Sequence, residues 1–99
     1  MLDIKKKQEG SRLEFALEGR LDTSTAPQLE EEVKASIDDI TELVFDFSEL
    51  EYMTSAGIRE LLIADNMLGD GGYMKVIHAN EMVREVFELT GLDELLENE

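Results

Sequence analysis

Between Leu43 and Ile77 the chain runs strand, helix, strand within about 35 residues, and this pattern constrains the fold more than any other. Leu43 to Phe47 is an apolar run suited to a central strand. It leads through Asp46 into a short polar loop. Thr54 and Ser55 then open a helix with Ala56 and Gly57 in its first turn. Ile58, Leu61, Leu62 and Leu68 form the helix's apolar stripe, and the glycines around Asp70 stop it before a strand over Tyr73–Ile77. A strand–helix–strand unit of this length is a right-handed parallel crossover.

The flanking segments extend the sheet. Leu13, Phe15 and Leu17 alternate with polar or small residues, the period of a half-buried strand. Ile4 and Lys5, Lys6 and Lys7 suit an edge strand guarded by lysines, joined to it in an antiparallel hairpin through Glu9-Gly10-Ser11. Gly19-Arg20-Leu21-Asp22 ends the second strand. Thr25, Pro27 and Gln28 read as a helix start with a capping box. Leu29, Val33, Ile37 and Ile40 follow, with Glu30, Glu31 and Glu32 expected on a solvated outer face. Val83, Val86, Phe87 and Leu89 mark a third helix ending at Gly91 in a left-handed turn, and Leu92, Leu95 and Leu96 are read as a docked last turn before a frayed tail. Met53, Met67, Met74 and Met82 read as core gap fillers. The expected class is α/β in the order β-β-α-β-α-β-α, one domain over residues 1–99 with a small mixed sheet.

Composition narrows the function. A net charge of −15 opposes nucleic acid and anionic membranes as partners and favours a basic protein surface. Without cysteine there is no disulfide framework, thiolate metal site or Cys nucleophile. One histidine and no acidic calcium loop leave no metal site to expect, and no phosphate-loop or dinucleotide motif implies a cofactor. No apolar run reaches membrane-span length and the N-terminus lacks an h-region, so the expected location is cytoplasmic.

Asp22, Asp46, Thr54, Ser55 and His78 are expected near the carboxyl edge of the parallel strands, where sites collect in α/β sheets. Ser, His and Asp together invite a serine-hydrolase reading. Against it, Met53 stands where the nucleophile elbow G-x-S-x-G has its first glycine. Ser55 has two further readings. Its hydroxyl lies among free N–H groups at the positive end of a helix dipole, a place that suits an anion or phosphate. Thr54 or Ser55 can equally be a helix cap, and Ala56 and Gly57 can be small because the helix packs closely on the sheet.

Three stretches resemble the STAS domain family, specifically the stand-alone bacterial anti-sigma factor antagonists. Gly19-Arg20-Leu21-Asp22 with Thr25-Ala26 is similar to the family's G-x-L-D strand end and helix start. Phe45-Asp46-Phe47-Ser48-Glu49-Leu50, followed by Tyr52-Met53-Thr54-Ser55-Ala56-Gly57-Ile58, is similar to its central D-x-S-x-L…S-x-G-[LI] signature. Val83 to Leu92 is similar to its V-x-x-x-F-x-x-T-G-L helix end.

The resemblance implies a STAS-like fold with helices mainly on one face of the sheet. It also implies a non-enzymatic switch with no catalytic residue, metal or cofactor of its own. By this likeness Ser55 is the phosphoacceptor. The partner surface includes Asp22, Thr23, Thr25, Thr54, Ala56, Gly57 and Ile58. The implied partners are an anti-sigma factor serine kinase of the GHKL ATPase type, bound by the unphosphorylated domain, and a PP2C-type phosphatase that restores it. A constitutive STAS-like scaffold or small-ligand sensor is the alternative, and a small serine hydrolase the third reading. Two departures stand out. Thr54 occupies a position where many members carry Asp, and the chain's last residue, Glu99, implies a short or missing final helix.

Overall fold

The computed structural model describes residues 2–69 and 71–92. Four strands form one sheet in the order β1-β2-β3-β4: β1 (Leu2–Glu9), β2 (Arg12–Leu21), β3 (Glu42–Met53) and β4 (Tyr73–Ile77). The helices are α1 (Ala26–Ser36), α2 (Ser55–Leu68) and α3 (Glu81–Leu89). β1 pairs antiparallel with β2, whereas β2–β3 and β3–β4 are parallel. The element order and mixed sheet expected from the sequence are therefore present. The two-residue hairpin turn places Gly10 at φ 59°, where a side chain would be strained. Lys5, Lys6 and Lys7 lie on β1, an edge of the sheet.

The core occupies one face of the sheet. Leu13, Phe15, Leu17 and Leu21 of β2, with Leu43, Phe45 and Phe47 of β3, form one buried cluster with Leu29 and Val33 of α1, Ile58 and Leu61 of α2, and Val83 and Phe87 of α3. Phe15 and Phe45, register partners, stack at 5.8 Å. Fully burying a side chain of this size stabilises by about 1.5–3 kcal/mol, so this layer is the main adhesive between helices and sheet.

The strand β3 departs most from expectation. In place of a polar loop after Asp46, it continues to Met53 alongside β2. The register shifts twice, so β3 carries extra residues opposite Ala16–Glu18 and Gly19–Arg20. Such bulges break the period of two. They are why Phe47, Leu50 and Met53 are all buried although each is three residues from the next. A reading based on strict alternation ends the strand too early.

Smaller differences have local causes. Thr25 occupies the N-cap position of α1 without making a side-chain cap, and Gln28 instead donates to the Leu2 carbonyl at 3.0 Å, so the capping box does not form. Helix α1 stops at Ser36, with Ile37 as its C-cap, and Ile40 is buried after a turn. Leu62 and Met82 are exposed at 39 % and 36 %, so neither belongs to the core. Gly91 adopts φ 74° and closes α3 in a Schellman motif, with Leu92 N–H on Phe87 O at 2.9 Å and Gly91 N–H on Glu88 O at 3.2 Å. The expected docking of Leu95 and Leu96, the frayed tail and the short final helix lie outside the described residues.

Candidate functional site

The end of β2 and the start of α2 are tied together. Thr54 N–H donates to Leu21 O at 3.0 Å, and the backbone of Thr54 is extended (φ −113°, ψ 178°), the usual N-cap geometry. Its Oγ1 accepts from Ala56 N–H at 3.3 Å. The cap is therefore Thr54, which leaves Ser55 as the first helical residue, exposed and with no hydrogen-bond partner for its hydroxyl among the described residues. The two readings of Ser55 separate here: it does not cap the helix.

Gly57 sets how closely α2 approaches the sheet. A Cβ there would lie 2.8 Å from Leu21 Cγ and Cδ2 and 3.0 Å from Met53 Cε. The absent side chain lets the first turn of α2 rest on the ends of β2 and β3, which holds Ser55 beside the Asp22 loop.

Asp22 organises that loop. Its Oδ1 accepts from Ser24 Oγ at 2.8 Å, Ser24 N–H at 3.0 Å and Thr25 N–H at 3.2 Å. The Ser24 hydroxyl, aided by these backbone N–H groups, holds the Asp22 carboxyl below its ordinary range despite an opposing burial penalty. Thr25 is buried at 7 %; its hydroxyl donates to Arg20 O and accepts from Asp22 N–H, both at 2.9 Å. Of the residues expected on a partner surface, Thr23 and Ser55 are exposed, and Asp22, Thr54 and Ala56 are half-buried. Thr25, Gly57 and Ile58 are buried, so they support that surface from beneath.

A groove of about 480 Å³ runs between α1 and α2 from this point. Thr23, Pro27 and Glu30 line one wall; Ser55, Arg59 and Glu60 line the other. Glu30 therefore faces the groove rather than the outer solvated side. It pairs with Lys34 at 2.8 Å, one turn further along α1. That hydrogen bond and the Lys34 charge hold Glu30 below its ordinary range. Burial and the charge of Glu30 push Glu60 up. Sequence reasoning missed this groove because its walls come from helices distant in the chain. The sequence signal that could have pointed to it is the four-residue spacing of Ser55 and Arg59.

The hydrolase constellation does not assemble. His78, at φ 61°, pairs through Nδ1 with Asp46 Oδ1 at 3.1 Å. Asp46 lies mid-strand, and the rest of β3 separates it from Ser55, about 20 Å at the rise of an extended chain. The expectation that Asp46, His78 and Ser55 share one edge fails because β3 continues past β4. Asn80, which the sequence reading passed over, spans the step. Its Nδ2 donates to Leu50 O at 3.0 Å, while its Oδ1 accepts from Val83 N–H at 2.8 Å and caps α3. Among the described residues no three His, Cys, Asp or Glu side chains group as metal ligands, and no helix is long and apolar enough to cross a membrane.

Comparison with known proteins gives the fold and the family. The chain is 36 % identical over 77 residues to the putative anti-sigma factor antagonist BtrV of Bordetella bronchiseptica (strain ATCC BAA-588 / NCTC 13252 / RB50), a match covering 76 % of this chain and 66 % of that protein's length. The fold superposes on the anti-sigma factor antagonist SpoIIAA in its unphosphorylated form with a TM-score of 0.90 at 21 % identity, covering 98 % of this chain and 88 % of the other. An anti-sigma factor antagonist from Mycobacterium paratuberculosis gives a TM-score of 0.90 at 26 % identity, covering 100 % and 87 %. The family model described as "Mlab, STAS domain" matches residues 4–97, and the chain belongs to the STAS domain family.

Proposed function

We propose that this protein is a cytoplasmic anti-sigma factor antagonist switched by phosphorylation of Ser55. The unmodified domain binds an anti-sigma factor serine kinase of the GHKL ATPase type and so frees a sigma factor. The kinase transfers a phosphoryl group from ATP: Ser55 Oγ bonds to the γ-phosphorus, ADP leaves, and the hydroxyl proton passes to a kinase base. A PP2C-type phosphatase reverses the step. The domain supplies the acceptor and the docking surface, and catalysis belongs to its partners. The observation carrying this reading is the division of labour at α2, where Thr54 caps the helix and Ser55 stays exposed and unbonded. The names of its relatives are consistent with it.

Phosphorylation adds about −1.5 to −2 charge. The N-terminus of α2 accommodates that charge without a change of fold, whereas a partner surface pressed on Ser55 meets bulk, repulsion and an undried phosphate. A loss of about 3 kcal/mol weakens binding more than a hundredfold. The test is incubation with ATP and the anti-sigma kinase encoded nearest this gene. Uptake of one phosphate, retained in Thr54→Ala and abolished in Ser55→Ala, is the expected result. Stable kinase binding without phosphate uptake would instead establish the alternative, a constitutive STAS scaffold, which membership of the family fits equally well.

A further inference from the structure

We propose that Arg59 is the internal counter-ion of phosphorylated Ser55, drawing the phosphate along α2 and into the α1–α2 groove. The inference rests on the reading of Ser55 as the modified residue. Ser55 and Arg59 are four apart on α2 and line the same groove. Residues so spaced stack on one helix face with Cβ atoms about 5–6 Å apart. Helical side chains lean toward the N-terminus, so the Arg59 stem points back over the turn that begins with Ser55.

Arg59 is exposed and makes no hydrogen bond or ion pair among the described residues. Glu30 and Glu60 feel its charge, but its guanidinium bonds to neither, so its N–H groups are available. Lys34, one turn beyond Glu30 on α1 and outside the groove lining, is already held by Glu30 at 2.8 Å. The other charged groups around the groove are acidic: Glu30 on α1, Glu60 on α2 and Asp22 in the loop before α1. A phosphate at Ser55 meets their repulsion, and Arg59 is the group placed to offset it. Arginine suits the task because its planar fork gives two parallel N–H bonds to phosphate oxygens. In this chain, where neutral Thr54 precedes Ser55, the local balance between α2's own cation and the acidic groove decides how the phosphate is held.

The full chain is made with phosphoserine installed at position 55 by codon reassignment, so no kinase is involved. A ³¹P NMR titration then reads the second ionisation of the phosphate. In the wild-type background it is expected below the ordinary value of about 6. Arg59→Gln is expected to raise it by about half a pH unit, and Arg59→Lys by less. Unmodified Arg59→Gln should unfold at the wild-type midpoint, because the side chain it shortens is exposed. A second readout needs no variant: the Arg59 Nε–H resonance should shift downfield on phosphorylation. A phosphate ionisation identical in wild type and Arg59→Gln, or an Arg59 Nε–H signal unmoved by the phosphate, would overturn the assignment. A kinase that leaves Ser55 unmodified would instead count against the proposed function, and this experiment would read the same.

Discussion

The Oγ1 of Thr54 accepts a hydrogen bond from the backbone N–H of Ala56 at 3.3 Å, and this bond separates the duties of the two hydroxyls at the start of α2. Thr54 stabilises the helix; Ser55 is left to solvent. Thr54→Ala is expected to lower unfolding stability by about 1 kcal/mol through loss of the cap. Ser55→Ala should stay within about 0.5 kcal/mol of wild type. Urea denaturation of both variants checks this. Equal losses would mean that both hydroxyls support the helix.

Gly57 is expected to resist substitution even though alanine is the better helix former. The added methyl would press on Leu21 and Met53, which are 0 % and 1 % exposed and have no room to retreat. Overpacking of this kind costs about 1–3 kcal/mol, against a gain of about 1 kcal/mol in helix propensity. Gly57→Ala should therefore be destabilising overall. It should also weaken the kinase complex proposed above, because α2 must move away from the Asp22 loop. A stabilised Gly57→Ala protein would show that the close approach is not needed.

Asn80 joins the overhanging part of β3 to α3. Asn80→Ala removes both the bond to Leu50 O and the cap on Val83 N–H. The expected cost is about 2 kcal/mol, from a lost cap and an unpaired carbonyl. Asn80→Ser keeps a capping acceptor for Val83 N–H and loses only the reach to Leu50 O, so it should cost less. Chemical denaturation of the two variants gives the comparison.

Acid should weaken the fold through two aspartates. At Asp46 burial pushes the carboxyl up, but the Ser48 N–H at 3.0 Å and His78 at 3.1 Å outweigh it, and the net shift is downward. Asp22 is lowered chiefly by the Ser24 hydroxyl. A carboxyl lowered by folding contributes stability above its unfolded value of about 3.9, and loses it as pH falls through the folded value. The stability gap between wild type and Asp46→Asn should thus be widest near neutrality and close as pH drops below about 4. A gap that stays constant with pH would contradict the assignment.

Glu60 has the opposite sign. Burial and the Glu30 charge raise its carboxyl, so its ionised form opposes folding above the raised value, and the opposition disappears at low pH. Glu60→Gln should raise the thermal midpoint at pH 7 and leave it unchanged well below pH 4. Calorimetry at the two pH values reads the difference.

Much of the fold was legible in the sequence because its signals are local. Alternation at Leu13–Leu17, the apolar run at Leu43–Phe47 and the glycine stops each reflect a short-range periodicity or backbone preference. Thr54-Ser55 was visible as a helix start for the same reason, though which hydroxyl serves as cap was not. The backbone angles of Thr54, fixed by its bond to Leu21 O, decide that. The second half of β3 was hidden because pairing with β2 is long-range and its bulges erase the alternation that would announce a strand.

The candidate site divides along the same line. The sequence alone determined the elements that meet at Ser55 and, through three motif resemblances, the family to which they belong. The tertiary structure decided which residues share space. It removed Asp46 and His78 from Ser55 by the second half of β3, buried Thr25 beneath the surface, and opposed Glu30 to Glu60 across a groove. Those relations depend on how α1 and α2 pack on one sheet face, and packing joins residues whose separation along the chain carries no periodic signal.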